Sequence, residues 1–304
     1  MRIAIMGSGG IGGYYGGRLA LAGNDVTFIA RGAHLEAMRT RGLRVESTKG
    51  DFALPAVQAT EDPAPIGAVD LLLMATKTYD LDTAVETARS LIGPQTAVLP
   101  LLNGVDIAER ISAVVGPEHV LGGLCVLSSA VAEPGVIRHV TPFESVVFGE
   151  LSGETTPRCQ ALLETLKAAG INATLSGQIR TELWKKFVML ATIAGVCCAV
   201  RHPAEIVADP DVRALFSGSL EEIAAVARAQ GVLLPDTVVQ DTLRFFDGVP
   251  PGTKPSMLVD LEAGRRLEVE AINGAVVRLG AELGVPTPVN RFLYAALKPH
   301  AAGA

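Results

Sequence analysis

A glycine-rich segment near the start of the chain has the spacing of a phosphate-binding turn. Gly7-Ser8-Gly9-Gly10-Ile11-Gly12 follows the pattern GxGxxG and comes directly after the apolar run Arg2–Met6. In such a turn the first glycine permits a sharp reversal, the second lets the backbone approach a pyrophosphate, and the third lets helix and strand pack closely. The free N–H groups at the start of the following helix attract the phosphates. We therefore expect all six residues to bind a dinucleotide, because strand, turn and helix occur in the order that this pattern requires.

The residues after two later strands indicate which dinucleotide is bound. NAD-selective folds place an Asp or Glu at the end of the second strand for the ribose 2′-hydroxyl, but this chain has Ala30-Arg31-Gly32 there and no carboxylate before Glu36. An arginine at that point suits a 2′-phosphate. Lys77, just after the apolar run Val69–Thr76, is expected to supply a second cation to the same phosphate. The alternative is that both are solvated surface charges, and the position of Arg31 favours NADPH.

The pattern of apolar runs predicts the elements that position these residues. Short runs apolar on both faces alternate with helical stretches as far as Leu175, which is typical of a parallel sheet covered on both sides. Beyond Ser176-Gly177 the patterns are almost all helical, and they include one long helix over Pro255–Gly284. The predicted fold class is α/β: an N-terminal Rossmann-type, NADP-binding domain over residues 1–176, followed by an all-helical substrate and catalytic domain over residues 177–304.

Composition excludes several functional classes. The chain has 304 residues, 49% hydrophobic and 19% charged, with a formal net charge of −6. Two buried cores are therefore expected, and a nucleic-acid partner is not, because phosphate-backbone binders carry a basic stripe. The apolar stretch Phe187–Val200 has fourteen residues, short of the ~20 that span a bilayer, so we predict a buried helix and no membrane partner.

The four cysteines indicate the compartment. Cys125, Cys159, Cys197 and Cys198 have no metal-type spacing, and the N-terminus shows no apolar targeting segment with a cleavage site. A reduced, cytoplasmic location is the expectation. The oligomeric state is left open by the sequence, with a homodimer as one expectation.

With these motifs the chain resembles the ketopantoate reductase (2-dehydropantoate 2-reductase) family. The likeness runs nearly end to end: GSGGIG with Arg31, Lys77 in LLMATK, Asn103-Gly104 in PLLNGVD, ELWKK at Glu182–Lys186, and SMLVDLEAGRRLEVEAING from Ser256 to Gly274. The last two blocks are far more specific than the glycines.

The resemblance implies a role for four side chains. It makes Lys186 the catalytic lysine and places Glu268 in the same active site, with Ser256 and Asn103 as substrate- or cofactor-binding residues. The residue types suit this chemistry, because hydride addition to a 2-oxo acid leaves charge on the carbonyl oxygen that a lysine can protonate. A carboxylate such as Glu268 can orient the ammonium, and Ser256 can donate to the substrate carboxylate. Solvated polar residues on helix faces are the alternative for each of them.

One departure from the family concerns the substrate. The family carries asparagines four and eight residues after the catalytic lysine, on the same helix face, whereas this chain has Leu190 and Ala194 there. We expect these two residues to line the substrate site and to favour a less hydroxylated or bulkier 2-oxo acid than ketopantoate.

The leading hypothesis is therefore an NADPH-dependent reductase that converts 2-dehydropantoate to pantoate in pantothenate biosynthesis, or a paralogue for a related 2-oxo acid. Two alternatives stay open at this point. One is an NADP-dependent 3-hydroxy-acid dehydrogenase, and the other is a non-catalytic NADPH-binding sensor. A sensor need not keep Lys186, Asn103 and Glu268 together, so their joint presence favours an enzyme.

Overall fold

The chain folds into two compact units. The computed structural model describes residues 1–304. The first unit, here called the nucleotide unit, comprises Met1–Leu102 and Asp106–Ile179, and the second, the helical unit, comprises Asn103–Val105 and Arg180–Ala304. Residues 103–105 thus group with the helical unit although they follow a strand of the nucleotide unit.

The nucleotide unit contains all ten strands and five of the α-helices. The strands are β1 (Arg2–Met6), β2 (Asp25–Ile29), β3 (Leu43–Ser47), β4 (Phe52–Leu54), β5 (Gln58–Thr60), β6 (Leu71–Met74), β7 (Ala97–Pro100), β8 (Leu121–Glu133), β9 (Val136–Glu150) and β10 (Ala173–Leu175). The helices are α1 (Gly10–Leu21), α2 (Gly32–Arg41), α3 (Leu81–Thr87), α4 (Ile107–Val115) and α5 (Pro157–Ala168).

Five strands form the predicted parallel sheet in the order β5-β2-β1-β6-β7. Every neighbouring pair is parallel, with Ile3 opposite Val26 on one side and Leu71 on the other. Alternate residues of β1 enter two different cores, with Ile3 and Ile5 in one and Ala4 and Met6 in the other. The expectation of a Rossmann-type sheet covered on both faces is confirmed.

A second sheet, which the sequence patterns did not predict, lies in the same unit. Its order is β10-β9-β3-β4, with β8 antiparallel to β9. Glu133-Pro134-Gly135 forms the turn of this long hairpin, where Gly135 has φ 84°. The hairpin matters for function because the backbone of Ser129 and Ala130, on β8, lies against Gly10 at the start of α1.

The helical unit has six α-helices around one apolar core. They are α6 (Ile179–Val200), α7 (Pro210–Ala229), α8 (Val238–Asp247), α9 (Ser256–Glu262), α10 (Asn273–Leu283) and α11 (Pro288–Leu297).

The prediction of one helix over Pro255–Gly284 is wrong, because α9 ends at a glycine. Gly264 has φ 64°, its N–H donates to the carbonyl of Leu261, and the N–H of Arg265 donates to that of Asp260 at 2.8 Å. This pair of bonds is the Schellman motif, in which a left-handed glycine stops a helix. The ten residues between α9 and α10 therefore form an irregular connection, and Glu268 lies in it rather than on a helix.

Helix α6 is longer than its apolar run suggested. It has 22 residues, so by length and composition alone it could cross a membrane, although 61% of its most apolar window is buried inside the protein. The core helix of a globular unit meets the same criteria. Its inner face, with Phe187, Val188 and Ala191, belongs to the core of the helical unit.

Candidate cofactor and substrate sites

The first glycine of the GxGxxG segment makes the turn that the motif requires. Gly7 has φ 93°, and a Cβ atom there would lie 2.8 Å from the amide nitrogen of Thr76 and 2.9 Å from the carbonyl oxygen of Ala75. Gly9 is the N-cap of α1 and has no side chain to cap the N–H groups of the first helical turn. Those groups are therefore available to an anion, which the positive end of the helix dipole also attracts.

The other glycines of the segment differ in what surrounds them. A Cβ atom on Gly12 would fall on the carbonyl oxygen of Gly7, and one on Gly10 would fall on the carbonyl of Ser129. A Cβ atom on Gly9, in contrast, would meet no atom within 4 Å. The space at the Cβ position of Gly9 is thus open, as the close approach of a dinucleotide pyrophosphate requires.

Side chains hold the segment in shape and leave two hydroxyls without partners. Ser8 is buried, and its hydroxyl donates to the carbonyl of Ile29 at the end of β2, at 3.0 Å. The buried hydroxyls of Thr76 and Ser129 have no hydrogen-bond partner, and the backbones of these residues lie against Gly7 and Gly10. Sequence reasoning missed both residues, and the only signal for Thr76 was its place beside Lys77 at the end of a strand.

The two cations predicted for the adenosine end lie on the same unit. Arg31 follows β2 as the N-cap of α2, and its side chain is exposed, with no hydrogen-bond or ion-pair partner. Lys77 is half-buried and stands at the start of the short 3₁₀ turn Thr78–Asp80 after β6. In a sheet of this order both positions lie at the carboxyl ends of strands that flank β1, where ligands of such sheets bind.

In the helical unit the structure brings two predicted residues together. The ammonium of Lys186, in the second turn of α6, donates to the side-chain oxygen of Asn103 at 3.2 Å, and both residues are half-buried. The neighbouring Lys185 points elsewhere, because its ammonium pairs with Glu182 at 3.2 Å. Lys186 is thus held through an amide rather than a carboxylate in this contact, so its charge is not neutralised there.

The remaining predicted residues occupy different environments. Glu268 is 6% exposed, and its main-chain carbonyl accepts from the N–H groups of Ala271 and Ile272. Ser256 is exposed at the first position of α9, and its hydroxyl has no partner within the chain. Leu190 is half-buried, whereas Ala194 is 1% exposed and belongs to the core of the helical unit.

A buried polar network behind α6 was also missed by sequence reasoning. The amide of Asn273 donates to the main-chain carbonyl of Ala191 on α6 at 3.2 Å and to Asn290 at 3.1 Å. A Cβ atom on Gly195 would lie 2.6 Å from this amide, so the glycine permits the close approach. Asn273 stands in the ING sequence already noted, and its contacts fix the position of α6 in the helical unit.

Comparisons with known proteins agree with this arrangement. The model of the family "Ketopantoate reductase PanE/ApbA" matches residues 3–153, and that of its C-terminal domain matches residues 178–301. The chain is 33% identical to the uncharacterised oxidoreductase YkpB of Bacillus subtilis, over 99% of each chain, and 34% identical to a 2-dehydropantoate 2-reductase of Mesorhizobium japonicum, over 95% of this chain and 94% of that one.

Two solved structures are also close. A 2-dehydropantoate 2-reductase from Geobacter metallireducens superposes with a TM-score of 0.92 at 34% identity, covering 98% of this chain and 99% of that one. A D-mandelate dehydrogenase, solved with NADH and anilino(oxo)acetate, superposes with a TM-score of 0.90 at 25% identity, covering 99% and 98%.

The fold and the glycine turn define a dinucleotide-dependent oxidoreductase with a separate helical unit. The chain belongs to the ketopantoate reductase family, as its two halves match the two family models in order, and the resemblance stated above is confirmed. It is an oxidoreductase of the 2-dehydropantoate 2-reductase type, a class that reduces 2-oxo acids with a nicotinamide dinucleotide.

Proposed function

We propose that this protein reduces a 2-oxo acid to a 2-hydroxy acid with NADPH, and that 2-dehydropantoate, which yields pantoate for pantothenate biosynthesis, is its first candidate substrate. Residues 1–176 would hold the cofactor, and residues 177–304 would supply the proton donor. The observation that carries the proposal is the contact between Lys186 and Asn103, because it sets a cation beside an amide in a half-buried place on the helical unit.

The residues of the helical unit account for proton transfer and substrate binding. A bound, reduced nicotinamide supplies the hydride for this chemistry. The ammonium of Lys186 then protonates the carbonyl oxygen on which negative charge develops. Asn103 orients that ammonium through its side-chain oxygen, 3.2 Å away. The exposed hydroxyl of Ser256 is available to donate to the substrate carboxylate, and buried Glu268 is suited to accept from a substrate hydroxyl or to orient the lysine.

The preference for NADPH rests on the end of β2. Arg31 is exposed and unpaired at the N-cap of α2, and no carboxylate occupies the place that a free ribose 2′-hydroxyl would need. A planar guanidinium pairs well with a phosphate and can stack on adenine. Since the related D-mandelate dehydrogenase was solved with NADH, the choice of cofactor is a separate test for this chain.

A second candidate substrate class is an apolar, branched or aromatic 2-oxo acid. Leu190 stands one helical turn after Lys186 and is half-buried, so an aliphatic side chain rather than an amide is presented beside the lysine. Ala194 packs in the core, which favours a packing role and leaves Leu190 as the residue that shapes the pocket. The similarity to a D-mandelate dehydrogenase supports this second candidate.

The experiment measures NADPH and NADH oxidation by the purified protein with ketopantoate, 2-oxoisovalerate and phenylglyoxylate. We expect turnover of at least one 2-oxo acid, with NADPH used at a higher kcat/KM than NADH. Turnover of ketopantoate alone would support the first candidate, and better turnover of the apolar acids would support the second. No reaction with any of the three, by protein that binds NADPH, would refute the proposal.

We also propose a cytoplasmic location. All four cysteines are buried and none forms a disulfide, which is the usual state in a reducing compartment.

A further inference from the structure

His34 joins the phosphate-binding turn to the hairpin of the second sheet. It is the third residue of α2 and is half-buried. Its Nε2 atom lies 2.9 Å from the carbonyl oxygen of Ser8, in the middle of the GxGxxG segment. Its Nδ1 atom lies 3.1 Å from the amide nitrogen of Gly135, in the turn between β8 and β9. One imidazole ring therefore connects two segments that lie more than a hundred residues apart in sequence.

These two contacts determine the protonation state of the ring. A carbonyl oxygen only accepts hydrogen bonds, so Nε2 must carry a proton and donate it to Ser8. A main-chain N–H only donates, so Nδ1 must be unprotonated and accept from Gly135. His34 is thus neutral, with both ring nitrogens in use. Adding a second proton at Nδ1 would set two N–H groups against each other and break the bond to Gly135.

The electrostatic surroundings agree with a neutral ring. Burial lowers the pKa of His34, and the bond to the Ser8 carbonyl opposes this only in part. The charged groups on the elements around it are Arg31 at the N-cap of α2, Glu36, Arg39 and Arg41 on α2, Glu133 at the end of β8, Arg44 and Glu46 on β3, and Arg138, Glu144 and Glu150 on β9. Arg41 donates to the carbonyl of Pro134 at 3.2 Å, and Arg44 pairs with Glu133 at 3.2 Å. The GxGxxG segment itself carries no charge.

The segment that His34 holds is fixed from more than one side. The hydroxyl of Ser8 donates to the carbonyl of Ile29 at the end of β2, and the carbonyl of Ser8 accepts from His34, so two polar groups of the residue before Gly9 are engaged. On the other side, the hairpin that His34 holds through Gly135 presents Ser129 to the backbone of Gly10. The start of α1 is thus flanked by the backbone of Ser8 and by the hairpin, and the imidazole of His34 is hydrogen-bonded to both.

We propose that His34 is a positioning residue for cofactor binding: by holding the carbonyl of Ser8 and the N–H of Gly135 on one neutral ring, it keeps the start of α1 in the shape that receives the dinucleotide pyrophosphate. The inference rests on the use of a dinucleotide and not on the substrate or on the preference for NADPH. Because His34 acts on the pyrophosphate turn, it affects NADPH and NADH alike. This separates its role from that of Arg31.

The test compares His34→Ala with His34→Gln in the full-length protein, with exposed His202→Ala as a control outside the nucleotide unit. The side-chain amide of glutamine offers an acceptor and a donor as far apart as the two ring nitrogens, but it does not titrate. Dissociation constants for NADPH and NADH are measured by nicotinamide fluorescence, with Tm alongside. We expect His34→Ala to raise both constants by the same factor, about fivefold to tenfold, as expected for loss of one or two neutral hydrogen bonds. His34→Gln should return to within about threefold of the parent, and His202→Ala should equal it.

The pH dependence of NADPH affinity distinguishes this role of His34 from a role in packing alone. The affinity of the parent for NADPH should fall as the pH drops below the usual histidine pKa of 6.5 and through the lowered pKa of His34, relative to the non-titrating His34→Gln protein. Four results would overturn the inference. Two concern His34→Ala: unchanged binding of both cofactors, or a loss of NADPH affinity without a loss of NADH affinity. The other two concern His34→Gln: weak binding in a protein of normal Tm, or a pH dependence of NADPH affinity that runs parallel to that of the parent. If His34→Ala does not fold, the pH comparison decides alone. Because binding is measured without substrate, failure of the proposed reaction would leave this test intact.

Discussion

Replacing Gly9 by alanine should separate cofactor binding from folding. A Cβ atom on Gly9 would meet no protein atom within 4 Å, and the residue has φ −72° and ψ −155°, which alanine can adopt. Alanine is a poorer N-cap than glycine by about 0.5–1 kcal/mol, so Tm should fall by at most ~4 °C. The methyl group enters the space assigned to the pyrophosphate. Displacing even two charge-assisted hydrogen bonds, at ~1.5–3 kcal/mol each, should weaken NADPH binding by about 100-fold or more.

Two further glycine variants complete this comparison. In Gly12→Ala the new atom would fall on the carbonyl oxygen of Gly7 and 2.9 Å from Ile5, so both folding and binding should suffer. In Gly248→Ala, at the end of α8, the nearest contact would be an ordinary 3.7 Å, so neither should change. The assays are calorimetric Tm and fluorescence titration with NADPH. A Gly9→Ala protein that binds NADPH as tightly as the parent would refute the assignment of the phosphate site.

Four other predictions test the remaining parts of the account. Lys186→Ala should lower kcat by about 100-fold or more and leave the NADPH dissociation constant unchanged, whereas the neighbouring variant Lys185→Ala should keep a kcat close to that of the parent. A Lys186→Ala protein with the parent kcat would show that this lysine takes no part in the mechanism. Arg31→Ala should raise the NADPH dissociation constant about tenfold or more and leave that of NADH nearly unchanged, and exposed Arg89→Ala serves as the charge-matched control. Equal affinities of the parent for NADPH and NADH would contradict the role given to Arg31. Because apolar pockets discriminate by only ~1–3 kcal/mol per methylene, the kcat/KM values for ketopantoate and 2-oxoisovalerate should agree within about tenfold. A ratio above ~10³ in favour of ketopantoate would show that the protein recognises the ketopantoate hydroxyl by hydrogen bonds without the family's asparagines. Arg158, through two hydrogen bonds, holds the pKa of Glu150 below its usual 4.5, so the stability that this carboxylate contributes is present above pH 4.5 and is lost as the pH falls through the lowered value. The free energy of unfolding of Glu150→Gln, measured by urea denaturation at pH 7, should therefore be about 1–3 kcal/mol lower than that of the parent, and the difference should shrink in acid. A difference that does not change with pH would show that the charge of Glu150 is not its cause.

Much of the parallel sheet could be predicted because its strands are buried on both faces. The run Arg2–Met6 coincides with β1, and the apolar runs before Arg31 and Lys77 contain β2 and β6. Such strands are continuous in apolar residues, so composition alone marks them. Strands β4 and β5 have only three residues each, too few for a periodic signal, whereas the alternation Leu43-Arg44-Val45-Glu46 in β3 carried a strand signal that was missed.

Gly264 marks the break between α9 and α10 in the sequence, but the apolar periodicity continues past it. Apolar residues continue through the connection, since Leu267 and Val269 are buried as they would be on a helix. Gly264, however, adopts the left-handed conformation that ends α9 and thereby places Glu268 in the connection. A glycine within a helical pattern is weak evidence of an end by itself, and only the pair of hydrogen bonds behind it decides.

The contacts made by the candidate site residues could not be read from spacing. Asn103 and Lys186 are 83 residues apart, and their hydrogen bond follows from residues 103–105 joining the helical unit. His34 and Gly135 are 101 residues apart, and no motif marks the histidine. Leu190 and Ala194 share a predicted helix face, yet one is half-buried and the other packs in the core, because tertiary packing divides that face.

Hydride transfer from NADPH to the keto carbon of a 2-oxo acid can be followed directly by isotope transfer. NADPH deuterated on the transferred position of C4 is incubated with the protein and with ketopantoate or 2-oxoisovalerate, and the product is analysed by NMR and mass spectrometry. We expect a 2-hydroxy acid with one deuterium at C2. Absence of any 2-hydroxy acid, with protein that binds NADPH, or a product without deuterium at C2, would contradict it.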